Sequence, residues 1–128
     1  MRVLLDTHAL VWALGDPDRL SPRARATIAN QATVVFVSLT SAWEIAILQN
    51  LDRVRLKVPL AVLFTEALAA ARFQLLPIRL EYVAAVAELP QHHRDPFDRL
   101  LVATAKAERL TVISADRQFK RYAVPILW

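Results

Sequence analysis

The sequence predicts an α/β protein: a central parallel sheet of about five strands with helices packed on both faces. Three observations carry that expectation. Short apolar runs alternate with longer stretches of helical period. The runs are apolar at successive positions rather than at every second one, as in strands buried on both faces. Several of the helical stretches open on Ser-Pro, Asp-Pro or Pro, the residue types that start helices.

The first strand is Val3-Leu-Leu5, and Asp6 then opens a helical stretch from Thr7 to Leu14, closed by Gly15, the only glycine. Ser21-Pro22 supplies an N-cap and a first-turn proline for a helix to about Asn30. The β-branched run Thr33 to Val37 reads as a second, buried strand. Thr40 or Ser41 starts a helix through Trp43, Ile45, Ile47 and Leu48, and Pro59 starts another through Leu60, Leu63, Phe64, Ala67 and Leu68. Leu75 to Ile78 is a short third strand, Glu81 to Leu89 a helix and Pro90 to Arg94 a loop. Asp95-Pro96 begins a helix carrying Leu100, Leu101, Ala103, Thr104 and Ala107. Strand Leu110 to Ile113, a short helix around Arg117 to Tyr122 and a last strand Val124 to Leu127 complete the alternation. With no internal repeat, linker or low-complexity tract, the expectation is a single domain over 1–128.

Composition narrows the chemistry. The absence of Cys excludes disulfides and thiolate metal sites, which fits a reducing, cytoplasmic setting and leaves oxygen ligands and three His. No charged leader with a long apolar run opens the chain, and no window is long enough to span a bilayer, so a membrane is not expected. A net charge of +4, carried mostly by Arg, suits phosphate recognition.

Acids then fall where apolar segments end or helices begin: Asp6, Glu44, Asp98 and Asp116. In parallel sheets of this kind ligands bind beyond the carboxyl ends of the strands, where Asp6 and Asp116 lie directly. Glu44 and Asp98 occupy early helical turns; Glu44 follows its strand, whereas Asp98 follows a helix and a loop. An acid ending a buried strand is desolvated, and a cation compensates for that cost. Oxygen ligands favour Mg²⁺ or Mn²⁺, and on that ground His8, His92 and His93 are set aside as ligands. Structural roles compete for some of these residues. Glu44 stands three residues after Ser41, the spacing of a capping box. Asp95 before Pro96 reads as an N-cap, and Asp98 in the same first turn complements the helix dipole.

The segments Val3-Leu-Leu-Asp-Thr-His-Ala-Leu-Val-Trp12, Ser41-Ala-Trp-Glu-Ile-Ala46, His93-Arg-Asp-Pro-Phe-Asp-Arg-Leu-Leu-Val-Ala103 and Ile113-Ser-Ala-Asp-Arg-Gln-Phe119 resemble a PIN-domain protein. Among PIN domains the chain is similar to VapC-like toxins of type II toxin–antitoxin systems, across essentially its whole length. The resemblance implies a PIN-like three-layer fold and a metal-dependent endoribonuclease. It implies Asp6, Glu44, Asp98 and Asp116 as metal-holding catalytic acids, with Ser114 near the fourth. It also implies a homodimer held inactive by a small VapB-like antitoxin. The stretch Ile47 to Arg53 departs from the pattern, because relatives commonly carry a Lys and a Gly there. Thr7 and Asp95 stand beside the acids as supporting residues, and Arg94, Arg99 and Arg117 flank them as candidates for the RNA backbone. Two other classes compete. Haloacid-type phosphatases want an Asp where His8 stands, and a receiver domain wants one after the third strand. A non-catalytic protein–protein module would use the acids as caps alone.

Overall fold

In the computed structural model, which describes residues 1–128, the apolar runs form a parallel sheet whose middle strand comes first in sequence. β1 (Arg2–Leu5), β2 (Val34–Ser38), β3 (Gln74–Leu76), β4 (Thr111–Ile113) and β5 (Ile126–Leu127) lie in the order β3-β2-β1-β4-β5. The chain builds outward on one side of β1, then returns to build the other. Leu5 is therefore paired with Val37 on one side and Ile113 on the other.

Seven helices cover the sheet: α1 (Thr7–Gly15), α2 (Pro22–Ala29), α3 (Leu39–Asn50), α4 (Leu60–Val62), α5 (Leu68–Ala70), α6 (Leu80–Val86) and α7 (Pro96–Glu108). A π-helical turn, Leu63–Ala67, runs between α4 and α5, and a 3₁₀ turn, Arg117–Tyr122, follows β4. Alternation along β1 feeds two cores. Val3 and Leu5 pack with Ala9, Leu10, Phe64 and Leu68 on one face. Leu4 packs with Leu101, Val102, Phe119 and Tyr122 on the other. Each fully buried Leu contributes about 1.5–3 kcal/mol, so β1 is anchored from both sides.

Where bounds differ from the sequence expectation, backbone donors explain it. β3 begins at Gln74 and stops at Leu76, because Pro77 has no N–H to continue the ladder. β5 shrinks to Ile126–Leu127, although the Pro125 carbonyl still accepts from Val112 N at 2.8 Å. α3 starts at Leu39 and is capped by Ser38, whose Oγ accepts from Thr40 N at 3.0 Å. Ser41 is thus not the cap, and the capping-box role for Glu44 falls. α6 ends at Val86 rather than Leu89, and a side chain from α7 takes up its terminal carbonyls. The Ser21 cap of α2 and the Asp95 cap of α7 are as expected. No helix is long and apolar enough to cross a membrane.

Candidate metal centre

Strand ends and helix starts meet at one edge of the sheet. The Asp6 amide continues the ladder by donating to Ile113 O at 3.1 Å, which fixes the residue directly beyond β1. Its Oδ1 caps α1 by accepting from Ala9 N at 2.7 Å, and its Oδ2 accepts the Ser114 hydroxyl. Ser114 Oγ in turn accepts from Asp116 N at 3.0 Å, so one hydroxyl links the ends of β1 and β4. Asp116 Oδ1 caps the 3₁₀ turn through Gln118 N at 2.9 Å. Glu44, in the second turn of α3, accepts the Thr7 hydroxyl, and Thr7 also stands 3.0 Å from Ser41 Oγ. Asp98, in the first turn of α7, has its Oδ2 3.1 Å from His93 Nε2, and the same nitrogen is 3.1 Å from Asp116 Oδ2.

Burial and like charge act together here. Asp6 and Glu44 are buried, and desolvation raises both carboxyls above their ordinary values against the lowering effect of their hydroxyl partners. Asp98 is affected most: burial first, then Asp95, Glu44, Asp6 and Asp116, push it up to about 8. A carboxyl so placed is costly when ionised, and a cation offsets that cost. The donor set fits a divalent ion of the magnesium type, since the acids offer carboxylate oxygens and no thiolate is present.

The structure brings Asp98 and Asp116 directly together, within 4.8 Å of each other and of His93. It ties Asp6 to them through Ser114, and Glu44 to Asp6 through the adjoining Thr7. Arg94 and Arg117 are exposed beside these acids. Arg99 is a correction: it is buried, and its guanidinium donates to the carbonyls of Val86, Leu89 and Pro90 and to Tyr122 Oη, so it is not open to RNA. Those carbonyls lie at and beyond the end of α6, where helix acceptors run short of internal donors: Val86 O has the Leu89 amide at 3.2 Å, and Arg99 supplies donors to Leu89 O and Pro90 O. His93 is the residue that sequence reasoning set aside, yet its ring stands between two of the acids. Its position two residues before Asp95 was the available signal.

Asp95 Oδ1 accepts from Phe97 N at 2.9 Å and Asp98 N at 3.4 Å, so it is the N-cap of α7. Asp95→Ala is expected to lower stability by about 1 kcal/mol, less at alkaline pH, where losing a charge beside Asp98 gives some of it back. Denaturant melts at two pH values check this. An equal loss at both would remove Asp95 from the electrostatics of the cluster.

Comparison with known proteins bears on the family and the fold. Residues 3–125 match the family model described as PIN domain. The chain is 32% identical over 124 residues to Ribonuclease VapC22 of Mycobacterium tuberculosis, covering 96% of this chain and 93% of that protein. Among solved structures, VapBC2 from Rickettsia felis bound to a promoter DNA fragment superposes with a TM-score of 0.71 at 17% identity, covering 99% of this chain and 98% of that one. FitAcB from Neisseria gonorrhoeae gives 0.64 at 21% identity, covering 100% and 97%. At such identities the structures attest the fold.

Proposed function

Because the chain belongs to the PIN-domain family, we propose that it is an endoribonuclease, the toxin of a toxin–antitoxin pair, that hydrolyses RNA phosphodiester bonds at the cluster of Asp6, Glu44, Asp98 and Asp116. The observation that carries this reading is Asp98, a largely buried acid raised to about 8 by burial and by four neighbouring carboxylates. A non-catalytic module that used its acids only as helix caps would have no reason to converge them.

Asp6, Asp98 and Asp116, with Glu44, would hold Mg²⁺ or Mn²⁺. Such an ion lowers the pKa of bound water and neutralises charge on the phosphoryl oxygens. The chain's own residues prepare the place. Ser114 orients the Asp6 carboxylate and Thr7 that of Glu44, so both present fixed oxygens. Arg94 and Arg117, exposed beside the acids, would contact RNA phosphates and set the register of the backbone.

Partners follow from surface. On α3 Leu39, Trp43 and Ile47, and at its C-cap Leu51, are exposed four residues apart, a stripe suited to a second copy or another helix, which supports a homodimer. A cavity of about 720 Å³ adjoins Thr7 and His8 and is lined by Val11, Trp12 and Leu14, with Arg53 and Lys57 also in its wall. It would seat part of a VapB-like antitoxin bringing an Arg or Lys toward the acids. We place the protein in the cytoplasm, consistent with a Cys-free chain and an RNA substrate.

RNA cleavage by the purified protein should require Mg²⁺ or Mn²⁺, and Asp6→Asn should lower it by at least about a hundredfold. Cleavage that continues in excess chelator would sink the metal reading. Sedimentation showing a monomer at every concentration would remove the homodimer.

A further inference from the structure

The His93 imidazole is held at both nitrogens, and its main chain is held as well. Nδ1 accepts the Asp95 amide at 3.0 Å. The His93 amide donates to Tyr122 Oη at 2.7 Å, which anchors the loop to a buried side chain. Nε2 is hydrogen bonded to Asp116 Oδ2 at 3.1 Å and lies equally near Asp98 Oδ2.

Spacing alone would make this a His-Asp-Asp metal site, with ligand atoms all within 4.8 Å of one another. The tautomer argues against it. A backbone N–H can only donate, so Nδ1 must present its lone pair to Asp95, and the neutral ring then carries its hydrogen on Nε2. An N–H given to Asp116 Oδ2 with Asp98 Oδ2 close beside it is attractive, whereas a lone pair there would face theirs. A ring nitrogen bearing hydrogen is no metal ligand.

We propose that His93 is a positioning residue of the metal centre and not one of its ligands: its Nε2–H is given to Asp116, the cap of the 3₁₀ turn, and its positive edge lies against Asp98 of α7, keeping the two acids in one place. Those acids come from different elements, and His93 reaches them from a third. Each carboxylate oxygen has two lone pairs, so the N–H leaves acceptor capacity for a cation.

The inference rests on the metal reading above, and three measurements on the full chain separate the two. Long-range ¹H–¹⁵N correlation spectra of the labelled wild type should show His93 as the Nε2–H tautomer both metal-free and with Mg²⁺. Mn²⁺ binding, followed by electron paramagnetic resonance, should weaken about tenfold or more in His93→Ala and stay within about threefold of wild type in His93→Gln, whose amide restores a donor. The preference among Mn²⁺, Mg²⁺ and Co²⁺ should not change in either variant, because no nitrogen ligand is lost. An Nδ1–H tautomer, equal losses in both variants, no loss in either, or a selective loss of Co²⁺ would each overturn the positioning role. Should His93→Ala fail to fold, the wild-type spectra and the Gln variant still decide. A wild type that binds no Mn²⁺ sinks the metal reading and this inference with it.

Discussion

Asp98→Asn is expected to reduce RNA cleavage by orders of magnitude while leaving the metal-free protein at least as stable as the wild type. The reason is the direction in which Asp98 is displaced. Its ordinary value of 3.8 rises to about 8 in the folded state, through burial first and then through Asp95, Glu44, Asp6 and Asp116. Between those values the folded protein keeps a proton that the unfolded chain gives up. Metal-free stability therefore falls as pH rises from about 4 to about 8, and this contribution is constant outside that window. Asn never ionises, so the variant lacks that part of the slope. Melting in chelator should show the two proteins converging near pH 4 and the variant ahead by at least about 4 °C near pH 8. A variant that melts clearly below wild type near pH 8 and still cuts RNA would make Asp98 a structural acid of the first turn.

Arg99→Leu should have the largest effect on folding. One guanidinium supplies donors to the carbonyls of Val86, Leu89 and Pro90 and to the Tyr122 hydroxyl, in a position 7% exposed. Leu fills part of the space and donates nothing, so the Leu89 and Pro90 carbonyls lose their donor at about 1–3 kcal/mol each, softened where water can enter, while Val86 O keeps the Leu89 amide and Tyr122 Oη keeps the His93 amide. A total loss of about 3 kcal/mol or more corresponds to roughly 10 °C in Tm for a domain of this size. Arg99→Lys should recover only part of it, since an ammonium cannot spread over the same fork of acceptors. Because the loop held by Arg99 carries His93, the spectrum of that imidazole should broaden in the surviving fraction. A Leu variant melting within about 1 °C of wild type would show that Arg99 is not what closes the end of α6.

Much of the fold was legible because its signals are local. Val3 to Leu5 and Val34 to Val37 are apolar at consecutive positions, and the structure buries both faces of those strands. Ser21-Pro22 and Asp95-Pro96 announce helix starts, and the caps form there. Glu44 was legible as an acid early in a helix, though the start of that helix was placed at Thr40 or Ser41, because Leu39 reads as readily as the continuation of a strand. The site's supports were harder to see. Arg99 follows an acid in a helix and looks like any solvated Arg until α6 folds back onto α7. His93 gains its role from Asp95 and Asp116, and the second of these lies 23 residues away.

The position of β1 in the middle of the sheet also bears on when the protein becomes active as it is made. Strand β1 and Asp6 are made well ahead of their partners Ile113, Ser114 and Asp116, which follow more than a hundred residues later, the Ser114 to Asp6 contact spanning 108 positions. Three of the five strands, β1 with β2 and β3, can pair before then, with Asp6 and Glu44 at their ends, and Asp98 follows on α7 ahead of β4. Joining β1 to β4 is a long-range closure of the slow kind, and it is the event that assembles the cluster. On the proposed reading, a nascent chain therefore holds an incomplete acidic cluster until β4 has joined β1, and the interval before that closure separates synthesis of the chain from assembly of its site.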